Sequence, residues 1–269
     1  MKQVFRAGPD LGLPISTAVR AGGLVYVSGV LATDDRGQVV PEDIAAQTRR
    51  TLDNLRASFA AAGTRLENAG SLHVYLTRAE DFAAMNAVYR TVWPRDPPAR
   101  TTVITGLAAP GALIEIAGVA VAEGGARRPV HPAAWAPSPN PYSYGIHAAD
   151  TLFLSGLVPR DLRTHTSITG DVGVQTRAVL DNAGAILEAA GLSHADVASA
   201  RVYIADTADF AAMNEAYRAY FPGHPPARAT VVAGLTNPAF RVEVTLVAVK
   251  ADTRRAITTA PNPNLSAAV

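Results

Sequence analysis

The sequence predicts an α+β protein made of one domain written twice, each copy a mixed sheet with its helices gathered on one face. Three observations carry that expectation. First, long segments recur in the same order: QTRRTLDNLRASFAAAG at 47–63 and QTRAVLDNAGAILEAAG at 175–191, then DFAAMNAVYR at 81–90 and DFAAMNEAYR at 209–218. PPAR follows at 97–100 and 225–228, and LIEIAGVAVA at 113–122 is matched by RVEVTLVAVK at 241–250. Second, the spacing is constant: Gln175, Arg228 and Glu243 each follow Gln47, Arg100 and Glu115 by 128 residues, while Ser155 follows Ser28 by 127. A period that holds two helices and several strands is a duplicated domain rather than a solenoid unit. Third, each copy orders its predicted elements β-β-α-β-α-β-β, which fits helices packed on one side of a mixed sheet.

Each copy opens with a short strand (16–20; 143–148) and an apolar strand ending in Ser-Gly (24–32; 151–158). A long helix follows (43–62; 170–190), with Ile44, Leu52, Leu55 and Phe59 at helical spacing. Gly63 and Gly191 suit the left-handed residue that closes a helix. The strands SLHVYLT and SARVYIA come next, then a second helix opening near Asp81 or Asp209, then two closing strands. The predicted domains are 1–125 and 141–252. Between them, 126–140 is rich in proline and alanine and reads as a linker. The tail at 253–269 echoes it, Arg254-Arg255 matching Arg127-Arg128, so linker and tail are either coil or docked in similar ways.

Composition narrows the function. The chain is 48% hydrophobic and 17% charged, below the roughly 25% charged of an average globular protein, so a sizeable core is available. A formal net charge of +1 offers no basic field for nucleic acid. Cysteine is absent, which removes disulfides, thiolate nucleophiles and cysteine metal sites. No apolar run reaches the roughly 18–20 residues of a membrane span, and none at the N-terminus suits a signal peptide. The expectation is a soluble cytoplasmic protein with no membrane or nucleic-acid partner.

Some repeated residues exceed what a scaffold needs. Arg100 and Arg228 each follow Pro-Pro-Ala, so the chain enters them stiffly, and a guanidinium there suits bidentate contact with a carboxylate. Glu115 and Glu243 sit in β-branched runs where glutamate is disfavoured. Alternation puts Ile114 and Ile116 on one face and Glu115 on the other. The Arg-to-Glu spacing is 15 in both copies, which favours a shared use over surface ion pairing or a solvated sheet face. That spacing leaves open whether the two strands are neighbours in a hairpin or have another between them. Ser28 and Ser155 read either as turn residues or as site residues, and Asn86 and Asn214 can cap, pack or bind a ligand. The six histidines have no metal-ligand spacing; His73 and His147 fall in strands, do not recur, and read as structural.

Taken together, VYVSG, QTRRTLDNL, DFAAMNAVY, PPAR, IEIAGVAVA and their second-copy counterparts resemble the RidA/YjgF family of reactive-intermediate (enamine/imine) deaminases, in tandem form. The resemblance covers roughly 14–122 and 141–250. It implies two chorismate-mutase-like domains, trimeric assembly with a ligand cleft between subunits, and a further strand between the arginine and glutamate strands. It implies that Arg100 and Arg228 grip a substrate carboxylate and that Glu115 and Glu243 position the hydrolytic water. Ser28, Ser155 and an early tyrosine would line the cleft, with Asn86 and Asn214 as further binding candidates. That tyrosine is Tyr142 in the second copy but Ile15 in the first. The family's usual cysteine is Thr102 or Thr230 here, and its second glutamate is Ala117 or Thr245. The second half is thus the better catalytic candidate, unless an interface mixes walls from both.

The implied reaction is hydrolysis of 2-aminoacrylate-like enamines or 2-imino acids to 2-keto acids and ammonia, with no metal or cofactor. The competing readings are a non-catalytic small-carboxylate-binding or pathway-partner protein and, against the weak charge, an endoribonuclease. Three chains supply six domains, enough for two threefold rings, so a homotrimer of two-domain chains is expected.

Overall fold

The computed structural model describes residues 2–9 and 12–250; the tail anticipated at 253–269 lies outside the described residues. The first domain comprises β1 (Gln3–Phe5), β2 (Ala18–Ala21), β3 (Leu24–Leu31), α1 (Ile44–Ala61), β4 (Ala69–Leu76), α2 (Phe82–Val92), β5 (Ala99–Ile104) and β6 (Ile114–Val121). The second comprises β7 (Arg127–Val130), β8 (Gly145–Ala148), β9 (Thr151–Leu154), the short pair β10 (Arg160–Asp161) and β11 (Thr166–Ser167), α3 (Val172–Ala189), β12 (Val197–Ile204), α4 (Phe210–Arg218), β13 (Ala227–Val232) and β14 (Val242–Val249). The six-stranded sheets run β1-β2-β3-β6-β4-β5 and β7-β8-β9-β14-β12-β13, so they repeat one topology. Each is antiparallel except for one parallel pair, β4 with β5 and β12 with β13. These are two α+β domains of the chorismate-mutase-like kind.

The long helices begin where sequence predicts, and for a local reason. Asp43 and Asp171 accept hydrogen bonds from the backbone of Ala46 and Val174, filling one of the orphan donors at each N-terminus. Gly63 and Gly191 close them, both at φ 73°, a backbone that side-chain-bearing residues rarely adopt. The apolar stripe of α1, with Leu52, Leu55 and Phe59 fully buried, packs on Leu72, Val74, Ile114 and Ile116. The second core repeats this with Val179, Leu180 and Ile186 against Val202, Val242 and Val244.

The stretch expected as a linker is partly a strand. Arg127–Val130 pairs with β8 as β1 pairs with β2, and Trp135 packs against the second core. Pro129 disguised it, because a proline is tolerated in a strand at a sheet edge, which is where β7 lies.

The domains meet through the sheet faces turned away from the helices. Val103 joins Tyr203, Leu235 and Phe240 in one apolar cluster, and Ala99 joins Ile146 and Phe153 in another. Ile104 and Gly234 exchange backbone hydrogen bonds of 2.8 and 3.0 Å, and Thr101 Oγ1 lies 2.6 Å from Thr245 Oγ1. The result is asymmetric. β5 is covered on both sides, whereas its counterpart β13 is largely exposed: Val103 is 2% exposed and Val231 49%.

Candidate active site

Arg100 is the second residue of β5, separated from Pro97-Pro98 by Ala99 at the strand's start, and is only 3% exposed. Its guanidinium carbon lies 4.8 Å from the Tyr89 ring centre, 5.7 Å from Phe82 and 5.8 Å from Tyr142, with Nη1 3.8 Å from Met85 Sδ. Among the described residues it forms no ion pair. Burial lowers its pKa, but a guanidinium stays charged in a protein. An unpaired buried charge costs several kcal/mol, so a bound anion is the natural complement. The second domain fixes its backbone: Arg100 N donates to Ser155 Oγ at 2.9 Å, and its carbonyl accepts from Gly156 N at 3.0 Å. Ser155 Oγ in turn donates to the Ser143 carbonyl at 2.6 Å.

Glu243, on β14, faces the same cavity and is 2% exposed. Burial pushes its carboxyl pKa up to about 8; the Thr102 backbone N–H and the Arg100 charge offset only part of this. The carboxyl lies over Gly156, where a Cβ would sit 1.9 Å from Oε1. The Ser-Gly that ends the strand therefore has two uses: the serine holds Arg100, and the glycine leaves room for Glu243. The cavity measures about 270 Å³ and is also lined by Phe82, Thr102, Asn140, Tyr142, Arg160 and Phe240. That suits a small metabolite, below the usual drug-sized range. Burial raises the Tyr142 pKa, so the phenol stays a neutral donor.

The structure thus brings Arg100, Glu243, Tyr142 and Ser155 together across the domain boundary. It does not pair arginine and glutamate within one half. In each sheet a strand separates them, β4 between β5 and β6 and β12 between β13 and β14, which removes the hairpin alternative. Arg228 aligns with Ala200 and Glu243 with Tyr203, so their backbones are about 9.5 Å apart across the sheet and about 10 Å along it. Arg228 is exposed, donates to Asn214 Oδ1 at 2.6 Å and stacks on Tyr217. It stands in a separate cleft with Asn214. Within this chain Arg228 and Asn214, the second-half candidates named with Glu243, line a separate cleft, and Thr230 does not line the Glu243 cavity; Arg100 and Thr102 do. Asn86 stands one layer back, donating to Asn140 at 3.4 Å. Glu115, half-buried and with its pKa raised by burial, lies over Gly29 as Glu243 does over Gly156. Ser28 donates to the Ser16 carbonyl at 2.7 Å, and Ile15 is 52% exposed. Among the described residues no arginine lowers the Glu115 pKa as Arg100 lowers that of Glu243.

Sequence reasoning passed over Gly156, Arg160, Phe240 and Gln175. Gln175 accepts from Arg241 N at 2.8 Å and donates to the Ala239 carbonyl at 3.0 Å, pinning the loop that carries Phe240. Gln47 does the same for Leu113 and Gly111, so the repeated Gln-Thr-Arg was the available signal. A larger cleft of about 590 Å³ lies behind Asn140 and Tyr142, lined mainly by prolines and by Arg90, Arg95 and Trp93. It lacks Arg100 and Glu243, which the smaller cavity brings together.

Fold and cavity together define a tandem pair of small α+β domains whose shared boundary encloses a small cavity lined by both Arg100 and Glu243. The family model described as Endoribonuclease L-PSP matches residues 9–122 and again 134–250. The chain belongs to that family, the RidA/YjgF family, as a tandem member. It is 44% identical over 108 residues to the mitochondrial protein mmf2 of Schizosaccharomyces pombe, covering 39% of this chain and 85% of mmf2. It is 44% identical over 116 residues to a RutC family protein of Pyrococcus horikoshii, covering 43% of this chain and 92% of that one. A solved YjgF-family structure from Neisseria meningitidis is 34% identical with a TM-score of 0.40, covering 47% of this chain and 97% of its own.

Proposed function

We propose that this protein hydrolyses 2-imino acids, and the enamines in equilibrium with them, to 2-keto acids and ammonia. The observation that carries the reading is a buried, unpaired Arg100 opening into the same small cavity as a carboxyl poised near neutrality. Arg100 binds the substrate carboxylate by charge-assisted hydrogen bonds and so sets the position of the C=N carbon. Glu243 accepts a proton from water as the oxygen adds to that carbon and the C=N π pair moves to nitrogen. It then returns the proton to nitrogen, giving the carbinolamine. Glu243 next takes the hydroxyl proton and passes it to the amine, so the C–N bond breaks, ammonia leaves and the oxygen pair forms the carbonyl. A group with a pKa of about 8 exists in both forms near pH 7, as that double role requires. Tyr142, which lines the cavity wall, supplies a hydrogen-bond donor to the bound substrate in this reading.

The test generates imines from a panel of amino acids with an amino-acid oxidase and follows their loss by semicarbazide trapping. Faster loss with the wild type, and only the uncatalysed rate with Glu243→Gln, is expected. Carboxylate binding without turnover would mark a binding protein instead.

A further inference from the structure

The same cavity holds a second guanidinium. Arg160 opens the β10–β11 hairpin and lines the wall shared by Arg100, Asn237, Phe240 and Glu243. It is held in place from three directions. Its carbonyl accepts from Asn182 Nδ2 at 2.7 Å, its Nη1 donates to the His165 carbonyl at 2.9 Å, and its guanidinium carbon lies 5.2 Å from the Phe240 ring centre. Like Arg100, it forms no ion pair among the described residues. The fold does not require it: the first copy has Thr33 at the corresponding position, 127 residues earlier as Ser28 is to Ser155. Only the half whose Glu243 faces Arg100 carries this cation.

Two cations and one acid line the cavity. A substrate with one carboxylate would answer Arg100 and leave Arg160 unmatched. We propose that the site is built for 2-imino acids bearing a second, distal carboxylate, which Arg160 binds while Arg100 holds the carboxylate next to the C=N carbon. Phe240 and Val158 give the intervening carbons an apolar wall. This inference rests on the deaminase reading of the same cavity.

The experiment measures binding of product mimics by calorimetry. 2-Oxoglutarate and 2-oxopentanoate have the same chain length and differ only in the distal carboxylate. The wild type is expected to bind 2-oxoglutarate about tenfold or more tighter, the scale of a hydrogen bond to a charged group. Arg160→Thr, which installs the first copy's residue, should abolish that preference, and its retained binding of 2-oxopentanoate shows that the site remains folded. Arg100→Gln should weaken both ligands. Equal affinities in the wild type, or a preference that survives Arg160→Thr, would overturn the inference while leaving the deaminase reading in place. If neither ligand binds, or if Arg100→Gln changes nothing, both fall together. Should Arg160→Thr not fold, the wild-type comparison alone decides.

Discussion

Glu243→Gln should make the protein more stable as well as inactive, and the stability gain should grow with pH. The carboxyl is buried, and its pKa stands at about 8 against an ordinary 4.5. The sign follows from linkage. The folded state holds its proton to higher pH than the unfolded chain, so stability is fully present below about 4.5 and falls as pH rises to about 8. Each pKa unit is about 1.4 kcal/mol, so the penalty comes to a few kcal/mol once pH exceeds 8. Glutamine keeps an acceptor for the Thr102 N–H and fits the space over Gly156, and it carries no ionisable group. Urea unfolding of both proteins from pH 5 to 9 should therefore give curves that nearly coincide at pH 5. They should diverge steadily and then run parallel above pH 8. A difference that stays flat across this range would refute the argument, because it would mean that Glu243 ionises in the folded protein as readily as in the unfolded chain. The same variant in the imine assay separates this electrostatic claim from the catalytic one.

Arg100→Lys should lower kcat/KM for 2-imino acids by about 30–150-fold, or 2–3 kcal/mol, because an ammonium lacks the planar fork. Arg228→Lys should leave turnover at the Glu243 site unchanged, and parallel kinetics of the two variants distinguish the arginines. Gly156→Ala would place a methyl 1.9 Å from the present position of Glu243 Oε1. Activity should drop on the order of 100-fold, as loss of a positioned acid–base group does, with the circular dichroism spectrum retained. Gly29→Ala, which crowds Glu115 instead, should spare it. Finally, Val231 and Val232 are 49% and 52% exposed on β13, the strand whose counterpart is covered in the first domain. We expect a second copy to cover it in a homotrimer, and light scattering at micromolar concentration checks this; a single-chain mass would count against it.

Much of this protein was determined by its sequence. The 128-residue recurrence established the duplication. The spacing of Leu52, Leu55 and Phe59 placed a helix, and the glycines at 63 and 191 ended its two copies. Glu115 and Glu243 were conspicuous because a β-branched run has no packing use for a carboxylate. These are local signals, set by periodicity and backbone chemistry within a few residues. The first strand of the second domain escaped notice because Pro129 is permitted only at a sheet edge, and being an edge is a property of the assembled sheet.

Which arginine meets which glutamate belonged to the tertiary structure alone. Two copies of one motif offer two arginines and two glutamates with identical local spacing, so nothing within either half favours one pairing. The choice is made by the faces that bury each other. β5 docks against the second domain, Arg100 is drawn under Ser155 and into the cavity with Glu243, and Arg228 on β13, which this chain leaves uncovered, stands apart in its own cleft. Arg160 became visible as a site residue for the same reason. Its hairpin closes over a cavity that exists only once both domains are in contact.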